Sequence, residues 1–296
     1  MTFANSSLVA DKSQPTDGRD DRATTRFLPS CGSAPALEFL EIRPRDESRG
    51  APILCLHGAF DGAWMWREVF LGSFADHGRA AAAISVRGHG KSGGRADLPS
   101  ATLADYIQDI QCAFRELSEP PIVIAHSLGA LIAQRLLGKE RMRALVLLTP
   151  MTPEGMCFVS PQLLAIMPAI WPEMIDGFFG SRRPPLTRVA DLIFPTRLSP
   201  TDLDRHVSKM VIESSQVMFD AHVPSATMPA FMCGVPTLVI SGAVDPIVSW
   251  ESAARTAFYH GGKHLVANNA GHLLHVEPGA ERIATAVLHW LDEMYL

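Results

Sequence analysis

Charge of either sign is sparse in this sequence: Asp, Glu, Lys and Arg make up 19% of 296 residues, and the net charge is −5. No basic stripe runs along the chain, which excludes the electrostatic footprint of a nucleic-acid binder. No apolar run reaches the roughly 18 residues that would suggest a bilayer span, so no membrane partner is expected. The opening MTFANSSLVADKSQ lacks the basic and apolar regions of a secretory leader, and the expected location is cytoplasmic. The five cysteines, Cys31, Cys55, Cys112, Cys157 and Cys233, include no C-x-x-C pair. They read as reduced thiols rather than a disulfide framework.

What is present is apolar sequence in ordered blocks, 47% of the chain. Residues 1–34, rich in Ser, Thr, Asp, Arg and Pro without periodicity, read as a flexible N-terminal tail. From Leu37 onward, apolar strand candidates at 36–42, 53–57, 80–86, 121–126, 144–148, 235–242 and 263–267 alternate with helix candidates. The helices, at 64–77, 102–118, 128–139, 250–259 and 279–293, carry apolar residues at three- and four-residue spacing. Strands apolar on both faces, alternating with helices, define an α/β chain with a doubly wound, mostly parallel sheet. Its ligands are expected beyond the carboxyl ends of the strands. The core is expected over 35–150 and 234–296. Between them, 151–233 shows no convincing strand and holds eight of the twelve methionines. Too long for a simple loop, it is expected to be a helical lid subdomain.

The loop RGHGKSGG is rich in misleading patterns. Gly88, Gly90 and Gly93 spell G-x-G-x-x-G, while Gly90, Ser92 and Gly94 spell G-x-S-x-G. A phosphate or dinucleotide site needs a helix opening inside the motif, so that its amides face the phosphate. Here a helix is plausible only near Thr102, and Ser85 stands where a P-loop needs Gly. The loop reads as a tight glycine turn beside the site, and no cofactor is expected.

PPIVIAHSLGALIAQRLL has the context that loop lacks. An apolar strand runs directly into Ser127 and a helix follows at once, the strand-to-helix turn that projects a nucleophilic hydroxyl. Gly129 supplies one of the two small flanking residues; Ala125 supplies the other less generously. A serine needs a base, and the base an orienting carboxylate. Asp245 follows the strand VPTLVISG and His272 follows KHLVA, in the chain order Ser, acid, His. Ser127, Asp245 and His272 are therefore read as a catalytic triad. Asp245 before Pro246 also fits a plain turn. His275, three residues past His272, is read as packing, and His57 as support for its loop. The backbone amides of Ala59, in LHGAF, and Leu128 are the candidate oxyanion hole.

HGAF, RGHGKS, AHSLG, GAVDPIV and GHLLHVEP resemble, in order, the signature of the α/β-hydrolase superfamily. The resemblance is to its lidded branch of esterases, lactonases and cofactor-free haloperoxidases. It implies a sheet of that type with a helical lid inserted after the sixth strand, and a serine hydrolase needing no metal or organic cofactor. Ala125 for the elbow Gly and Ser85 for a common Asp are its two departures. Epoxide hydrolases and dehalogenases of the superfamily use an Asp nucleophile, which Ser127 disfavours. The implied substrate is a small to medium, largely apolar ester, thioester or lactone. Carbon–carbon bond hydrolysis with the same triad, or a hydrolase-like ligand receptor, are the alternatives. Phe60, Trp64, Met151, Met156 and Phe158 are candidate substrate contacts. Trp66, Trp171, Phe178 and Phe179 are further aromatics of the entrance and lid. Arg182, Arg183 and Arg188 would attract an anion or simply solvate the lid. The oligomeric state is left open.

Overall fold

In the structure, a computed structural model, residues 22–158 and 198–296 are described. The apolar runs pair side by side because strands without a polar face must be covered on both sides. They are β2 (Leu37–Ile42), β3 (Ile53–Leu56), β4 (Ala81–Ile84), β5 (Ile122–His126), β6 (Ala144–Leu148), β7 (Thr237–Gly242) and β8 (Lys263–Ala267). With β1 (Thr24–Leu28) they form one sheet of order β1-β2-β4-β3-β5-β6-β7-β8. β1–β2 and β2–β4 pair antiparallel, and every other pair is parallel.

The two-residue period of a strand divides the core. Leu54 and Leu56 of β3 enter one apolar cluster, and Ile53 and Cys55 enter the other. The first cluster is covered by α2 (Leu103–Arg115), α3 (Ser127–Leu136) and α6 (Trp250–His260). The second is covered by the helical run through Ala63–Trp66, Arg67–Leu71 and α1 (Gly72–Asp76), and by α7 (Ala280–Glu293). No helix opens within the glycine loop. α2 starts after Thr102, whose side chain forms a capping box with Asp105. Strand order reverses beside β3 and β5, so the loops leaving their carboxyl ends diverge around a crevice. Those loops carry HGAF and Ser127.

Two expectations are corrected. The tail is not wholly irregular: Thr24–Leu28 pairs with Leu37–Glu41, and Arg26 bonds Glu41 and Glu116. An edge strand half exposed to water needs little apolar periodicity, so TTRFL carried no signal. This added strand also makes Ala144–Leu148 the sixth in chain order; among the seven sequence candidates it was the fifth. Finally, Cys31 and Cys112 are joined as a disulfide, Cα–Cα 6.0 Å. Eighty-one residues apart, they gave no spacing motif.

Of 151–233, residues 159–197 lie outside the described residues, and with them Trp171, Phe178, Phe179, Arg182, Arg183 and Arg188. The described remainder contains α4 (Pro200–Val207), α5 (Ser215–His222) and short turns at Met156–Phe158 and Ala230–Cys233. α4 and α5 start at Ser199 and Ser214, whose hydroxyls accept the Asp202 and Val217 amides.

Closing a loop of this length with a disulfide is worth up to about 4 kcal/mol. Thiol reduction is expected to lower the urea midpoint, and the non-reduced protein to yield a peptide joining Cys31 to Cys112. Free alkylation of both cysteines without reductant would contradict the link.

Candidate active site

Ser127 stands at the end of β5 and is the first residue of α3. Its φ is +48°, in the left-handed region that a residue with a side chain rarely adopts. The close helix approach behind it needs Gly129: a Cβ there would lie 2.4 Å from the His57 carbonyl oxygen. Ala125, the less generous neighbour, is accommodated fully buried within β5.

The Ser127 Oγ lies 3.0 Å from His272 Nε2, and His272 Nδ1 lies 2.8 Å from Asp245 Oδ2. All three sequence candidates are brought together, and the serine and histidine are buried. Asp245 is also the turn residue that its Asp-Pro pair predicts. Its other oxygen, Oδ1, accepts the Ile247 and Val248 amides at 2.8 and 3.1 Å. The turn thus aims the carboxylate at the imidazole. On the far side, the His272 carbonyl accepts from Thr149 Oγ1 and contacts His126 Nε2. Glu277 accepts the amides of Gly271 and Leu273, one on each side of His272. Neither Thr149, His126 nor Glu277 was singled out from sequence; only the fold brings them to His272.

The HGAF loop lies against the elbow. A Cβ on Gly58 would be 2.5 Å from His126 Nδ1 and 3.2 Å from the Ser127 Cβ. Among the described residues no acceptor is found for the backbone N–H of Ala59 or Leu128. His57 braces this loop: Nδ1 donates to the Gly58 carbonyl and Nε2 accepts from the Val86 amide, which assigns its tautomer. Burial holds it neutral, its pKa lowered to about 3. His275 stacks on Trp66 at 4.4 Å, neither nitrogen has a hydrogen-bond partner among the described residues, and it packs as an aromatic ring.

Phe60 and Trp64 gather with Met65, Met210, Leu203 and Leu273, between the His272 loop and α4. Met151 and Met156 do not join them. They are buried in the cluster holding Leu128, under α3 and α5, because the chain after β6 turns back along α3. The Met151 N–H donates to the Ser127 carbonyl there. The Phe158 side chain lies outside the described residues. Ser92, the decoy serine, is structural: its Oγ accepts the Glu38 amide and donates to the Ser85 carbonyl.

A second buried cluster was not foreseen. Glu213 accepts from the Tyr106 hydroxyl at 2.5 Å and lies 3.3 Å from His89 Nε2. Burial would raise its pKa, but His89 and these bonds outweigh that and lower it to about 2. Asp61 is the opposite case: buried, with neither carboxyl oxygen partnered among the described residues, it is pushed well up by burial and by Glu213. No spacing signal links residues 61, 89, 106 and 213.

Residues 53–285 match the model of the alpha/beta hydrolase family, and the chain belongs to that family. Among solved structures it is similar to an esterase from Exiguobacterium antarcticum (17% identity, TM-score 0.70, covering 91% of this chain and 100% of that one). It is likewise similar to a carboxylesterase from Bacillus subtilis (20%, TM-score 0.66, 91% of each chain). An epoxide hydrolase from Vigna radiata is also similar (17%, TM-score 0.69, 93% and 100%). At these identities the likeness is one of fold. No curated protein matches in sequence.

Burial lowers the pKa of His57, His126, His206, His260, His264 and His275. In the unfolded chain each binds a proton near pH ~6.5. Below that pH the unfolded state takes up protons the native state refuses, so stability is lost as pH falls. Asp61 and Asp109, raised by burial, and His89, raised by Glu213 against its burial, act in the opposite sense. Six groups outweigh three. The urea midpoint is expected to fall steadily from about pH 7 to about pH 5; a flat or rising midpoint would contradict this balance.

Proposed function

We propose that the protein is a serine hydrolase acting on a small to medium, largely apolar ester, thioester or lactone. The observation that carries this reading is the continuous Ser127–His272–Asp245 hydrogen-bond chain, at 3.0 and 2.8 Å, on a left-handed elbow. In the proposed reaction His272 Nε2 takes the Ser127 proton as Oγ bonds the substrate carbonyl carbon. The carbonyl π pair moves onto oxygen and is received by the Ala59 and Leu128 N–H groups. Asp245 Oδ2 accepts the Nδ1–H, holding the tautomer and stabilising the imidazolium. His272 then gives its proton to the departing alcohol or thiol, and an activated water releases the acid from Ser127.

The substrate is a small molecule entering beside Phe60 and Trp64. The apolar company of those two side chains supports an apolar acyl group. A serine with a histidine base sets the proposal apart from the Asp-dependent branches of the family.

The test is hydrolysis of p-nitrophenyl esters, thioesters and lactones of graded chain length. Ser127→Ala is expected to keep the wild-type fold and lose at least ~10³-fold in kcat. Asp245→Asn is expected to lose a similar factor. A folded Ser127→Ala variant retaining most of its turnover would overturn the assignment.

A further inference from the structure

We propose that Glu213 is a positioning residue of the oxyanion loop, its carboxylate fixing the Phe60 backbone and so the direction of the Ala59 N–H. The inference rests on the reading of Ser127 and Ala59 given above.

Phe60 directly follows Ala59 and has φ +70°, a conformation that a bulky residue does not hold unaided. Two bonds from one short segment hold it. Its N–H donates to Glu213 Oε2 at 3.3 Å, and its carbonyl accepts the Val211 N–H at 2.8 Å. This segment joins α4 to α5, and so ties the α4–α5 connection to the loop before the elbow. Glu213 is itself immobilised. Its Oε1 accepts from the Tyr106 hydroxyl on α2 and from the Ser214 amide at 2.8 Å, and its Oε2 lies 3.3 Å from His89 in the glycine loop. Four separate segments thus meet at one buried carboxylate.

Only a carboxylate satisfies both sides. Phe60 and Ser214 each present a backbone N–H, and a backbone N–H cannot become an acceptor. A glutamine in the same place has one oxygen. Whichever amide that oxygen serves, its NH₂ faces the other donor. Glu213→Gln therefore keeps the volume and loses one of the two anchors.

An oxyanion donor contributes through being aimed beforehand at the place where charge develops. Loss of that aim acts on the transition state rather than on substrate binding. The full-length wild type, Glu213→Gln and Ser127→Ala are compared on p-nitrophenyl butyrate. A trifluoromethyl ketone that adds to a serine as an anionic hemiketal serves as the oxyanion probe.

Glu213→Gln is expected to lower kcat about 10- to 100-fold, with KM changed less than about twofold, and to weaken ketone inhibition by the same factor as kcat. Wild-type kcat in Glu213→Gln, a loss confined to KM, or unchanged ketone inhibition overturns the proposal while leaving Ser127 as nucleophile. Turnover retained by Ser127→Ala overturns the underlying reading instead, and the proposal with it. If Glu213→Gln does not fold, amide hydrogen exchange in the wild type decides. Protection of the Phe60 N–H comparable to that of β3 supports the proposal, and exchange at the rate of an open loop overturns it.

Discussion

The left-handed backbone at Ser127 is the constraint on which the rest of this structure depends. A non-glycine residue held there costs on the order of 1–3 kcal/mol, and surrounding contacts must over-determine it. β5 enters it fully buried, and α3 leaves it without a spacer. Gly129 lets that helix close against the carbonyl of His57. The strain and the projection of the hydroxyl towards His272 have one cause: a strand and a helix joined with no loop between them. Everything else at the crevice is arranged around the place where this turn puts an oxygen.

Five buried or half-buried carboxylates show how the other loops reach that oxygen. Each accepts backbone N–H groups from a loop at the carboxyl edge of the sheet. Asp245 holds its own turn, Glu277 both flanks of His272, and Glu213 both Phe60 and Ser214. Glu38 and Asp109 hold the glycine loop through the amides of Lys91 and Arg87. A hydrogen bond to a charged acceptor contributes about 1.5–3 kcal/mol, and one carboxylate offers lone pairs enough for two loop amides. Irregular backbone at the mouth of a parallel sheet is thereby satisfied without regular structure. The price is several charges in poor solvent, offset at Glu213 by His89 and at Asp109 by Arg87.

The central strands, the helices that cover them and the Ser127, Asp245 and His272 positions were legible because each is a local pattern. Apolar runs and helical spacing mark the layers, and strand ends mark the loops. The same locality explains the misses. Thr24–Leu28 is an edge strand with one wet face, and its pairing with β2 is not written in its own five residues. Cys31 and Cys112 meet only because that strand lies beside α2. Glu213 was invisible because its partners are separated by as many as 153 residues. Met151 and Met156 were grouped with Phe60 by composition, whereas the turn after β6 sends them under α3. Asp245 shows the converse: one carboxylate oxygen holds the turn its Asp-Pro pair predicts, and the other bonds His272.

Ser127 is proposed as the one serine activated for attack, and covalent labelling measures that directly. The native protein would be treated with a fluorophosphonate, digested and mapped by mass spectrometry. A single rapid adduct is expected on the peptide carrying Ser127, slowed severely in His272→Ala and absent from Ser92. No adduct on Ser127 in the folded wild type, or labelling at equal rate in His272→Ala, would contradict it.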